Sequence, residues 1–227
     1  VFHIMHTGQA VGEGANITDD QVIEMLAQAN EMFRKVPGSN GDGEGVDTKI
    51  DFCLAQRDPD GNPTTGVTRH DLSNFPVYVA DGVAHNSLSP GMNDEQMKEI
   101  ACWDVDKYVN VYIVTEIAGN NGGGGIQGYA YLGPTYDCRD GVVMLSNKLV
   151  VTQFYLSKTF AHYLGHYLTL DHTRANTFSC TQTTYGETPG NNCCAPPAHT
   201  TNTLPDNTHS HHTTHVKPTS PPTANTP

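Results

Sequence analysis

The run Ala161-His162-Tyr163-Leu164-Gly165-His166-Tyr167-Leu168-Thr169-Leu170-Asp171-His172 constrains this chain more than any other feature. The apolar spacing predicts a helix over residues 159–170. His162 and His166 then stand at i and i+4, so both imidazoles leave one face a turn apart and reach a single metal ion. His172 lies six residues further on. It joins them only if the helix stops near residue 169 and the chain turns back. Three neutral imidazoles leave a tetrahedral zinc ion one open position, the arrangement of catalytic rather than structural sites. A lone His pair at this spacing reads as polar decoration of an exposed helix. The third His shifts the balance to metal.

The remainder must supply the scaffold. The 227 residues allow one large domain or two small ones. Only 37% are hydrophobic and 16% charged, with 22 Gly and 14 Pro, which suits a loop-rich mixed fold and not a helical bundle. The net charge of −12, with no cluster of Lys or Arg, argues against nucleic acid and anionic membrane as partners. No apolar run is long enough to span a bilayer. The chain opens at Val1, directly inside a strand-like run and without a signal peptide, as expected of a form cut from a precursor or of an artificially trimmed chain. Its cysteines are Cys53, Cys102, Cys138, Cys180, Cys193 and Cys194, an even set without a C-x-x-C pair. The last three sit in a polar segment that cannot build its own core, so disulfides and an oxidising compartment are expected. Secretion is also compatible with the sequon Asn16-Ile17-Thr18.

Pattern divides the chain into residues 1–175, a mixed α/β domain, 176–215, a Cys/Pro/Thr-rich segment, and 216–227, a Thr/Pro-rich tail. Within the first part, residues 1–6 read as a strand. Thr18 before Asp19, Asp20 and Gln21 is a capping box that starts a helix to about Val36, with Val22, Ile23, Leu26, Ala29, Met32 and Phe33 at helical spacing. Residues 38–45 are a Gly/acid loop and 49–55 alternate as a strand. Asp58-Pro59-Asp60-Gly61-Asn62 is a turn leading to a further extended segment. A short helix is expected over 94–100. Strands follow over 110–117, 126–132 and 141–145, with a glycine loop at 120–125.

Taken with its flanks, the His frame resembles that of the metzincin zinc endopeptidases, and within them the pappalysin, ulilysin-like branch. The matching stretches are Phe2-His3-Ile4, His6-Thr7-Gly8, residues 46–62, 116–132 and 140–144, and the His helix itself. The resemblance implies a mixed, twisted five-stranded sheet over an active-site helix, followed by an irregular, disulfide-stapled C-terminal part. It implies zinc on His162, His166 and His172, and an edge strand over 126–132 whose Gly128, Tyr129, Ala130 and Tyr131 pair with an extended polypeptide. The activity implied is hydrolysis of peptide bonds by a zinc-activated water in a secreted enzyme. Structural calcium near Thr188-Pro189 is also implied.

Three positions depart from that pattern. Tyr163 stands where the family has the glutamate that acts as general base, and a tyrosine, with an ordinary pKa of about 10, is protonated at neutral pH. Thr169 replaces Gly or Asn, although a β-branched residue fits a left-handed turn poorly. Where the family has a methionine turn followed by Tyr, this chain has Pro205-Asp206-Asn207-Thr208-His209-Ser210-His211-His212. The alternative to an enzyme is therefore an inactive relative serving as an extracellular structural or interaction module.

Other signals are weaker. Gly123-Gly124-Gly125-Ile126-Gln127-Gly128 matches a dinucleotide fingerprint, but strand rather than helix is expected next, so nucleotide binding is rejected. Asp58, Asp60 and Asn62 lack the rest of a calcium loop, since Arg69 falls where a bidentate Glu is needed. Nine Thr and five Pro over residues 200–227 suit an extended tail, with a stretch to about His215 docked near the metal.

Overall fold

The computed structural model describes residues 1–172 apart from Gly123, Gly133, Pro134 and 149–155. The disulfides expected at Cys180, Cys193 and Cys194, the segments 176–215 and 216–227, and the calcium position near Thr188 lie outside the described residues.

Three strands carry almost nothing but apolar or buried side chains: β1 (Phe2–His6), β3 (Val111–Val114) and β5 (Val142–Leu145). Strands buried on both faces read this way when helices or loops cover each side of a parallel sheet. They form its centre. With β2 (Val67–Asp71) and β4 (Gly128–Ala130) the order is β2-β1-β3-β5-β4, all parallel except β4, which runs antiparallel to β5 at the edge. The sheet is the expected mixed five-stranded one. One face (Ile4, Ile113, Met144) packs on α1 (Asp19–Phe33) and α4 (Leu156–Tyr167). The other (Met5, Tyr112, Val114, Val143) packs on α2 (Pro76–Asp81), α3 (Asp94–Glu99) and intervening loops.

The capping box of α1 is present: the Gln21 N–H donates to Thr18 Oγ1 at 3.2 Å and the Thr18 N–H to Gln21 Oε1 at 2.8 Å. The helix ends at Phe33, earlier than expected, because Lys35 turns left-handed at φ 49°. Its buried stripe is Val22, Met25, Leu26, Ala29 and Phe33, whereas Ile23 is 50% exposed. Residues 49–55 are not a strand. The Asn30 side chain of α1 takes both backbone groups of Phe52 (2.8 and 2.7 Å), so hydrogen bonds that a ladder would use go to a helix side chain instead. The helix α2 was not legible as one, although Pro76 at its first turn and Gly82 at its end are the usual stops.

Cys102 and Cys138 form a disulfide between the segment after α3 and the β4–β5 connection. Cys53 is exposed and makes no disulfide among the described residues. The sequon is not available in the folded chain. Asn16 is 3% exposed, its Nδ2 donates to the Gln9 carbonyl and its Oδ1 accepts from Arg69. Among the described residues no helix is long and apolar enough to cross a membrane.

His3 of β1 is fully buried, with Nε2 2.8 Å from Asn110 Oδ1, Nδ1 2.7 Å from Thr68 Oγ1 and its ring stacked on Tyr112. Burial pushes its pKa down to about 3, against a smaller opposing effect from Asn110. The unfolded chain binds a proton here near pH 6.5 and the folded chain does not, so this contribution is complete above pH 6.5 and is lost as pH falls toward 3. Urea unfolding from pH 7 to pH 4 should show stability falling with acid. His3→Phe should flatten that slope by close to one proton. An unchanged slope would show that His3 titrates normally in the fold.

Candidate metal centre

The geometry at the His residues originates in how α4 ends. The Leu170 N–H donates to the Gly165 carbonyl (2.9 Å) and the Thr169 N–H to the His166 carbonyl (2.8 Å). This is the paired closure of a Schellman motif, with Thr169 in the left-handed position at φ 74°. Leu170 folds back over Gly165, where an added Cβ would lie 3.7 Å from Leu170 Cδ1, the apolar contact that accompanies such a stop. The β-branched Thr169 accepts the strained backbone, and the chain reverses.

That reversal brings His172 back to the helix. The Nε2 atoms of His162, His166 and His172 are 3.0, 2.9 and 3.1 Å apart pairwise. Three nitrogens bound to one tetrahedral zinc at 2.0–2.1 Å would be roughly 3.3 Å apart, so the triangle needs only a small expansion. His166 is oriented by the same turn: its Nδ1 is 2.8 Å from the Leu170 carbonyl oxygen. Donation from Nδ1–H leaves the Nε2 lone pair facing the other two rings, the tautomer that metal ligation requires. His166 is buried while His162 and His172 are half-buried, so the cluster opens on one side. Among the described residues it is the one group of His, Cys, Asp or Glu side chains disposed to hold a metal ion. Leu170 was not singled out from sequence, because its part is played by a backbone carbonyl whose position depends on the turn.

Tyr163 lies between the cluster and the core, its ring edge-on to His162 at 5.3 Å and 6.3 Å from His166 between centroids. Its side chain is 3% exposed and belongs to the core formed with Phe160, Leu164, Ala130 and Met144. The ring lies against the backbone of Gly128 in β4, so close that a Cβ there would meet Tyr163 Cε2 at 2.6 Å. Gly128 is thus required by contact. Beyond Gly124 and Gly125 the chain enters β4, which removes the helix a dinucleotide site needs. Of the four edge residues named from sequence, Gly128, Tyr129 and Ala130 form β4 and Tyr131 follows it. A cavity of about 120 Å³ at the His cluster is lined by Met32, Phe33, Val46, Gly165 and the three His residues, among others. The Asp58 turn spends its carboxylate on its own loop, accepting from the Asp60 and Asn62 N–H groups.

Strain at Thr169 gives a direct test of the turn. A left-handed β-branched residue costs roughly 1–2 kcal/mol, partly offset by the extra unfolded-state freedom of glycine. Thr169→Gly should therefore stabilise the chain by about 0.5–1 kcal/mol in chemical unfolding. Destabilisation would mean that the Thr side chain contributes contacts the turn relies on.

The fold is similar to solved structures of mirolysin. Mirolysin in complex with a compound aligns with a TM-score of 0.59 at 23% identity, over 78% of this chain and 64% of that one. Mature mirolysin of Tannerella forsythia in complex with a cleaved peptide gives 0.56 at 25% identity, over 80% and 66%. A Tannerella forsythia promirolysin mutant gives 0.53 at 25% identity, over 76% and 55%. The chain thus spans about 55–66% of the length of these structures. No curated protein matches it significantly. The Peptidase_M43 family profile, described as Pregnancy-associated plasma protein-A, matches residues 91–215, more than half of the chain. With β3, β4, β5 and the three-His helix all inside that match, the chain belongs to the pregnancy-associated plasma protein-A (M43) family of metallopeptidases.

Proposed function

We propose that this chain binds one zinc ion through His162, His166 and His172 and acts on extended polypeptide lying along β4. The observation that carries this is the convergence of three imidazole Nε2 atoms within 3.1 Å of one another at the open side of α4. When bound, zinc supplies Lewis acidity, lowering the pKa of its water and polarising a peptide carbonyl. The chain's own residues do the rest. His166, held by the Leu170 carbonyl, fixes the ligand face. The outer edge of β4, whose one ladder partner among the described residues is β5, offers backbone groups to a substrate strand through Gly128, Tyr129, Ala130 and Tyr131. The Cys102–Cys138 disulfide supports an oxidising, extracellular setting.

A second reading is favoured by Tyr163. A positioned general base typically contributes 10²–10⁴-fold in rate, and a buried phenol packed on Gly128 does not replace a carboxylate facing the metal. The native chain then binds polypeptide and metal with little or no turnover, an inactive relative acting as an extracellular interaction module.

Elemental analysis after mild dialysis and hydrolysis of casein, both on one purified sample, separate the readings. The expected zinc content is one equivalent, falling well below that in His166→Ala. Casein hydrolysis should be slow in the native chain and rise about 10²-fold or more in Tyr163→Glu. That variant should also lose roughly 2 kcal/mol or more of stability, because it removes a packed ring. Native hydrolysis as fast as that of Tyr163→Glu would show that residue 163 does not limit turnover. Sub-stoichiometric zinc in an intact fold would remove the metal site itself.

A further inference from the structure

The element that the proposed function uses most is weakly built. β4 has three residues and, among the described residues, one ladder partner, β5, and such a strand is not fixed by its own hydrogen bonds. Its side chains alternate. Gly128 and Ala130 face α4, whereas Tyr129 packs into the core on the α3 side of the sheet.

On that second side stands a lysine for which neither metal binding nor the fold pattern accounts. Lys98 of α3 is 0% exposed. Its Nζ is 3.0 Å from Asp94 Oδ2 one turn earlier and donates to the Arg139 carbonyl at 2.7 Å. It lies 4.8 Å from the ring centroid of Tyr131, 5.5 Å from that of Tyr129 and 5.8 Å from that of Tyr112. Asp94 completes the arrangement, since its Oδ1 accepts from the Tyr129 hydroxyl at 2.5 Å. Arg139 adjoins Cys138, and Cys138 is bridged to Cys102 just beyond α3. Helix α3, strand β4 and the β4–β5 connection are therefore tied together around one buried charge pair.

Apolar side chains of similar volume usually match a buried ion pair in stability, because removing two charges from water costs several kcal/mol per ion. What an apolar filler cannot do is fix a phenol and a carbonyl in direction. We propose that Lys98 and Asp94 are positioning residues that set the height and register of β4 above the His-bearing helix, and so the affinity with which an extended polypeptide pairs with that strand. The polypeptide part of this inference rests on the proposed function; the strand-holding part does not.

The test uses the full, zinc-loaded chain with two variants and casein as the polypeptide probe. Tyr129→Phe deletes one hydroxyl and leaves the ion pair in place. Lys98→Met keeps the buried stem and removes the charge, and where it does not fold Tyr129→Phe decides alone. Hydrogen exchange at the amides of residues 127–131 should accelerate about tenfold, the scale of one lost hydrogen bond to a charged group, with α4 and β1 unchanged. The casein Kd, or KM where turnover is measurable, should rise several-fold while zinc content stays near native. Unchanged exchange in β4, or acceleration spread evenly over the sheet, would overturn the positioning role. So would looser β4 amides with unaltered casein affinity. A native chain that holds zinc yet binds no casein would overturn the polypeptide reading, and the exchange pattern would still decide whether the pair holds the strand.

Discussion

Everything at the candidate metal centre depends on one helix termination. Two hydrogen bonds, from Leu170 to Gly165 and from Thr169 to His166, close α4 and reverse the chain. Without that closure α4 would carry a pair of histidines and His172 would point away with the continuing backbone. With it, the same turn delivers the third imidazole and aims the Leu170 carbonyl at His166 Nδ1. A residue poorly suited to the left-handed region sits at the pivot, so the geometry is sustained by the packing of Leu170 on Gly165 and by the closure itself rather than by local preference.

The sheet converts this local event into a cleft. Its three central strands are buried on both faces, so neither layer of covering elements can be omitted without exposing apolar surface. The layer with α1 and α4 holds the His cluster. The opposite layer, with α3, reaches the edge strand through Tyr129 and Tyr131. β4 is therefore gripped from both sides, by Tyr163 against Gly128 on one and by the Asp94–Lys98 pair on the other.

Family membership and chemistry come apart at residue 163. The spacing of the three histidines is intact, and the M43 match runs through it to residue 215. The side chain that follows His162 is nevertheless an aromatic that fills core volume. A site can keep metal affinity after losing a base, because ligation depends on the three imidazoles while proton transfer depends on one further group.

Several features were readable from residues alone. The strand at Phe2–His6, the capping box at Thr18 and the i, i+4 pair His162 and His166 rest on interactions between near neighbours, which a linear pattern encodes. The edge strand and the His frame were legible through resemblance. The extended but unpaired course of residues 49–55 was not, because Asn30 from a distant helix satisfies its backbone. Neither was the sealing of the Asn16 sequon by Gln9 and Arg69, nor the Cys102–Cys138 pairing, which parity does not specify. Lys98 carries no signal in the linear pattern, since its surroundings are Asp94, Arg139 and three tyrosines brought in from separate strands and loops. Sequence by itself determined which imidazoles share a helix face and where the elements built on near-neighbour contacts, such as β1 and α1, begin. Only tertiary structure decided which groups meet, because burial and long-range hydrogen bonding depend on partners that the local pattern does not contain.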